Sequence, residues 1–249
     1  MRKLLTTTLA ALLCAASVFA QAPAGSWQPL PASGYWQHLL HLGANFQQDM
    51  FRETPWKTRD PFEENGHGSQ TNQLPFPGLA LEFDPSDVHP GAQERGPSAS
   101  TLVWTEMTNS ESNPDALWSV GGNYPEYVKY WHVYILHTGS VDRAVTVWGK
   151  HDDGLIAWNN GNVFYSNGAY DGGGAPLPFS ATLHPGVNSI TIKLDQGGGT
   201  EYMGMRVTDR DNNPIDDLFY ALMPDNPAPV VTALAHNAVT LGECLLIDR

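Results

Sequence analysis

Cysteine is almost missing from this sequence, with Cys14 and Cys244 the only two in 249 residues. Cys14 lies in what reads as a leader, so Cys244 would stand alone once the leader is removed, and no disulfide could form within the mature chain. A secreted domain without disulfides must be held by core packing, and a chain of this length can bury enough surface to do so. Long apolar runs are missing too: nothing approaches the ~20 consecutive apolar residues of a membrane-spanning helix. Basic residues are few, 13 Lys and Arg against 26 Asp and Glu. That balance argues against nucleic acid and anionic membranes, whose binding depends on counterion release at a basic surface. It suits an acidic extracellular chain that draws divalent cations.

Enzyme signatures are absent in turn. The chain has no GxSxG elbow, no P-loop, Rossmann glycine pattern or HExxH, and Cys244 has no triad setting. His38 and His41 stand three apart with no carboxylate to complete a zinc site. Glycoside hydrolysis leaves no local motif, because its two carboxylates come from separate strands. Glu82, Glu106 and Glu126 are available for it, and nothing in the sequence selects a pair.

The first twenty residues, MRKLLTTTLAALLCAASVFA, have the form of a signal peptide. Arg2 and Lys3 make the positive start, Leu9 to Ala16 the apolar core, and Val18-Phe19-Ala20 the cleavage site. The expectation is export to the periplasm, the cell surface or the medium, and loss of the leader takes the formal charge from −13 to about −15. Residues 21–34, rich in Pro, Ala and Gly, read as a linker. Residues 35–223 read as one β-sandwich domain, and 224–249 as a tail or a partial second module after the boundary MPDNPAP.

Within 35–223 short runs rich in β-branched and aromatic residues recur between Gly, Pro, Asn and Asp: 101–107, 130–136, 144–149, 155–158, 162–165, 189–194 and 202–207. In SITIKL, Ile190, Ile192 and Leu194 alternate with Ser189, Thr191 and Lys193, the period of a half-buried strand. The spacing predicts an all-β, antiparallel, jelly-roll-like β-sandwich with long loops and one or two short helices. The helices are expected at 38–51 (HLLHLGANFQQDMF) and 214–222 (PIDDLFYAL), the latter with a Pro start and acids in its first turn. The charged stretch 51–73 has no apolar period and reads as loop.

The chemistry concentrates at HDDGLIAWNNG, residues 151–161. Asn160-Gly161 between LIAW and NVFY signals a type I′ hairpin, which needs positive φ at both central residues. Asp152 and Asp153 precede Gly154, where carboxylates can close a turn by accepting backbone N–H groups. Whether they hold a metal or only fold the loop is the question this stretch raises. A second acidic stretch, TDRDNNPIDD (208–217), fails the calcium-loop pattern because Pro214 stands where glycine is required, so it reads as a solvated turn.

The order of HDDGLIAWNNG, LHPGVNSITIKL and MGMRVTD resembles the protective-antigen fourteen-kilodalton domain and related carbohydrate-binding β-sandwich modules of secreted bacterial proteins. The clearest match covers about 144–209, with weaker correspondence through FDPSDVHPG and LVWTEM back to about residue 35. His151 replaces the serine usual in that pattern. The resemblance implies that Asp152 and Asp153 hold calcium, which in turn bridges two hydroxyls of a terminal sugar. Trp158, Tyr165 and Tyr170 are the nearest aromatics for a sugar face, and Asn160 is a polar partner. Trp158 also fits the core, since it lies among apolar strand neighbours.

The leading expectation is therefore a non-catalytic, exported module that binds a carbohydrate or cell-surface glycan through Ca2+. A structural or adhesive subunit that self-associates through strand edges or its tail is the second reading, and a glycoside hydrolase with dispersed carboxylates the third.

Overall fold

A computed structural model describes residues 27–47, 57–88, 100–108, 127–167, 176–196 and 202–224. The chain runs β1 (Gln28–Pro29), β2 (His38–Gln47), α1 (Pro61–Glu64), a single 3-10 turn (Gln70–Asn72), β3 (Ala80–Glu82), β4 (Thr101–Thr108), β5 (Tyr127–His137), β6 (Arg143–Asp152), β7 (Gly154–Asn159), β8 (Asn162–Asn167), β9 (Leu177–Leu183), β10 (Gly186–Gln196), β11 (Tyr202–Thr208) and β12 (Leu218–Ala221). Every strand pair is antiparallel. The large sheet has the order β3-β4-β2-β5-β10-β7-β8, with β12 beside the second half of β5 and β1 beyond it; the small sheet has the order β11-β6-β9. The predicted all-β sandwich is the fold observed.

Between the sheets, Trp131, Val133, Ile135, Leu155, Ala157, Ile190, Ile192 and Leu194 of the large sheet meet Val145, Val147, Leu183, Met203, Met205 and Val207 of the small one. Their alternation along each strand is the period-two pattern of a strand with one core-facing side. The opposite side of the large sheet is not solvated. Residues 57–88 form a strap across it, packing Phe62, Phe83 and Val88 on Leu40, Leu42, Phe46, Leu102, Trp104, Val128 and Tyr130. Phe62 is the anchor, with ring centroids 4.9 Å from Tyr130 and 5.5 Å from Phe83, both edge to face.

This strap overturns the half-buried reading of SITIKL. Ser189, Thr191 and Lys193 are buried at 3%, 0% and 0% exposure. Buried polar groups are tolerated when they are hydrogen-bonded, and these are. Ser189 Oγ donates to the Gln73 carbonyl (3.0 Å), and His132 Nδ1 lies 3.1 Å from Thr191 Oγ1. Lys193 Nζ donates to the Arg59 carbonyl (2.7 Å) and to Gln70 Oε1 (2.9 Å), which also accepts from Tyr130 Oη at 2.6 Å. Loss of water lowers the Lys193 pKa to about 7, against the pull of Asp60, Asp195 and Glu64.

Four further expectations are corrected. Residues 38–47 are strand β2, because pairing with both β4 and β5 satisfies a backbone that a short helix would leave open at its ends. Residues 218–221 are strand β12, held between β1 and β5. The helices lie instead in the stretch read as loop, where Asp60 caps α1 and Ser69 caps the 3-10 turn. The linker reading fails from Trp27 onward: Trp27 and Leu30 are buried, and β1 is part of the large sheet. Residues 1–26 and 225–249, with the expected leader and tail, lie outside the described residues.

Candidate functional site: the carboxylate corner

Along β6 the side chains alternate strictly. Val145, Val147, Gly149 and His151 are buried, and Thr146, Trp148, Lys150 and Asp152 are half-buried on the other side. Asp152 is the last residue of β6, Asp153 follows, and Gly154 opens β7. The two acids therefore stand where the chain crosses from the small sheet to the large one. The peptide bond between them is cis.

The crossing is pinned from three sides. Asp153 N–H donates to the Asp195 carbonyl at 3.2 Å. The Asp153 carbonyl faces Nδ1 of His151, and Nε2 of the same ring lies 3.1 Å from Tyr165 Oη. A carbonyl only accepts, so Nδ1 carries the proton in the neutral ring and Nε2 accepts from the tyrosine. Tyr165 Oη can donate instead to the Gly149 carbonyl, 3.3 Å away. Gly149 is required for this: a Cβ there would lie 2.4 Å from Cζ of Tyr165. His151 thus works as the brace of the corner.

The acids differ in exposure. Asp152 is half-buried and continues the outward series of β6, whereas Asp153 is only 9% exposed. Around them the strand ends converge. Asp152 pairs with Tyr202, Gly154 with Asp195, Leu155 with Asn167, Gln196 with Tyr127, and Tyr127 with Gln47. The ends of β2, β6, β8 and β10 and the starts of β5, β7 and β11 thereby form one rim of the sandwich.

The other predicted ligand residues fall elsewhere. Trp158 (4% exposed) and Tyr165 (1%) are buried, so neither presents a ring face to solvent as an aromatic platform must. Trp158 pairs with Thr191 on the strap side, and Tyr165 fills space against β6. Asn160 makes the predicted turn with Gly161, at φ 48° and 85°. Its amide donates to the Ser189 carbonyl and its Oδ1 accepts from Ser189 N–H, each at 3.0 Å. Six residues of β7 separate it from the acids, about 20 Å at ~3.3 Å per residue. Asn160 is thus a hairpin residue at the far end of the sheet. Tyr170 lies outside the described residues.

The second acidic stretch is a self-contained turn, as expected. Asp209 accepts from the backbone N–H of Asp211 and Asn213 and from Asn213 Nδ2, and the Asn213 bonds hold its carboxyl below the ordinary range. Of the dispersed glutamates, Glu82 is opposite Thr101, and Glu106 lies five residues farther along β4, about 17 Å away. Glycosidase carboxyl pairs stand about 5–9.5 Å apart, so these two do not form one. Glu126 lies outside the described residues.

Among the described residues no group of three or more His, Cys, Asp and Glu could hold a metal ion. The corner itself offers two hard carboxylates, which suit calcium in kind and supply part of its shell of six to eight oxygens. The remainder would have to come from carbonyls, water or ligand hydroxyls.

No family model matches the chain, and no curated protein matches it in sequence. Solved structures that show likeness to it include two of different kinds. One is a GH31 alpha-xylosidase from Xanthomonas citri, at 11% identity and TM-score 0.28, over 45% of this chain and 13% of that one. The other is the PA14 domain of the antifreeze protein MpAFP, at 13% identity and TM-score 0.31, over 81% of this chain and 96% of that one.

Proposed function

We propose that the protein is an exported, non-catalytic β-sandwich that binds a glycan at the rim carrying Asp152 and Asp153, with calcium as the bridging ion. The observation that carries this reading is the placement of two consecutive carboxylates, one of them reaching solvent, at a rim where seven strand ends meet. Rims built on a rigid sheet are where sandwich proteins place recognition. Bound calcium supplies positive charge and coordination positions in which sugar hydroxyls replace water. Asp152 and Asp153 would hold the ion, while His151 and Tyr165 fix the turn that presents them. With only two acidic ligands, the affinity belongs to the ~10⁻⁴–10⁻³ M range of extracellular calcium modules.

Thermal melting with calcium and with chelator tests this. At 10 mM calcium that affinity corresponds to a rise of about 3–10 °C in melting temperature. Asp152→Asn is expected to remove the rise, and glycan-array binding should disappear with chelator. Identical melting curves for the wild type in calcium and in chelator would discard the metal, and an array silent in calcium would discard the glycan.

A further inference from the structure

Among the described residues the central strands of the large sheet are covered on both faces, but the small sheet has a layer on one face only. Its outward side presents Thr146, Trp148 and Lys150 from β6, Pro178, Ser180 and Thr182 from β9, and Arg206 from β11. Cross-strand register aligns them in rows: Arg206–Trp148–Pro178, then Thr208–Thr146–Ser180. Lys150 lies opposite Gly204, so no side chain separates it from Arg206 on the neighbouring strand. Such diagonal neighbours have side chains rooted about 7–8 Å apart.

Trp148 is held in place. Its Nε1 donates to Thr208 Oγ1 at 2.9 Å, and the Arg206 guanidinium lies 4.9 Å from its ring centroid and 5.5 Å from that of Tyr35. Arg206 Nη2 donates to Asn212 Oδ1 at 3.0 Å, while its Nε is buried with no hydrogen-bond partner. The ammonium of Lys150 makes no ion pair or hydrogen bond with a described residue. In a chain with twice as many acids as bases, two cations flanking a fixed, half-exposed tryptophan on a hydroxyl-bearing face are a local reversal of charge.

We propose that this face binds an acidic polysaccharide. Trp148 takes the apolar side of a sugar ring, Lys150 and Arg206 receive uronate carboxylates, and the hydroxyls of Thr146, Ser180 and Thr182 exchange hydrogen bonds with those of the sugar. Two cations are too few for a nucleic-acid backbone, whose binding accumulates over many phosphate contacts. The apolar area, mainly Trp148 and Pro178, is too small for a stable protein interface. The formal charge of −13 repels a polyanion at long range, but at 0.15 M salt the Debye length is ~8 Å, so contact is decided by the charges on the face itself. Asp152, two residues beyond Lys150 in the same outward series of β6, is where this face meets the rim. The two readings border on each other at Asp152, and a chelator distinguishes them.

The test is affinity electrophoresis of the full chain at 0.15 M salt with EDTA, in gels containing polygalacturonate, neutral dextran or polyglutamate. Retardation by polygalacturonate alone is expected, weakened about tenfold in apparent affinity by Trp148→Ala and by Lys150→Ala. Ser180→Asp places an anion at an exposed position of the face, in the row beside that of Trp148 and Arg206. It should abolish retardation at an unchanged melting temperature. Wild-type migration unaffected by polygalacturonate, equal retardation by dextran or polyglutamate, or variants that run like the wild type would each overturn the proposal.

Discussion

His132 is fully buried between Trp104 and Tyr134, with Thr191 and Ser189 as its polar neighbours. Burial lowers its pKa to about 3 from the usual value near 6.5. Between those values the unfolded chain takes up a proton that the folded chain refuses. The stability tied to this group is therefore complete above about pH 6.5 and declines as pH falls toward 3, by up to ~1.4 kcal/mol per pH unit. Urea unfolding of wild type and His132→Gln from pH 3.5 to 6.5 should give a shallower slope for the variant; parallel lines would show that the histidine does not contribute. At this scale the sequence was partly legible. Asn160-Gly161 announced its turn because φ > 0 restricts the residue types that fit. The brace of Gly149, His151 and Tyr165 was not legible, because its members come from two sheets and only the folded register brings them together.

The strap shows how one residue can organise an element. Asp60 Oδ1 accepts from the N–H of Phe62 and Glu63, both at 3.1 Å, while Oδ2 accepts from Ser69 Oγ (3.0 Å) and Gln70 N–H (2.7 Å). It thus caps α1 and ties that helix to the turn carrying Gln70, the acceptor for Lys193. Asp60→Ala should cost about 2–4 kcal/mol, read as a lower urea midpoint, and Asp60→Asn should cost less because one oxygen can still cap. An unchanged midpoint for Asp60→Ala would mean that the strap contributes nothing to folding. A charged, apolar-poor stretch gave no periodicity from which to read this element; its structure depends on caps and on a few anchors such as Phe62. In β2 and β12 the opposite happened, as pairing on both sides overrode a local pattern that suited helix.

Across the whole molecule, β5 and β10 lie at the centre in both directions, with hydrogen-bonded neighbours on each side and packed layers above and below. Hydrogen exchange followed by mass spectrometry should place the slowest amides in 128–135 and 188–195, and faster ones in the edge strands β3 and β9. Equal protection in β9 and β10 would contradict the layered arrangement. The architecture was the most legible level, since alternation and turn residues fix antiparallel strands wherever they fall. The third layer was not, because a strand with polar residues on one side looks alike whether that side meets water or a satisfied polar network.

The unequal cover on the two sheets bears on how this protein can change. A random substitution in residues 188–195 of β10 meets a tight neighbour at either parity, so few replacements there should survive. Pro178, Ser180 and Thr182 of β9 look outward and are exposed, so they can be exchanged at little cost to folding. Variation among descendants of this chain should therefore collect on the outer surface of the small sheet, which makes that surface the natural place to graft a new specificity.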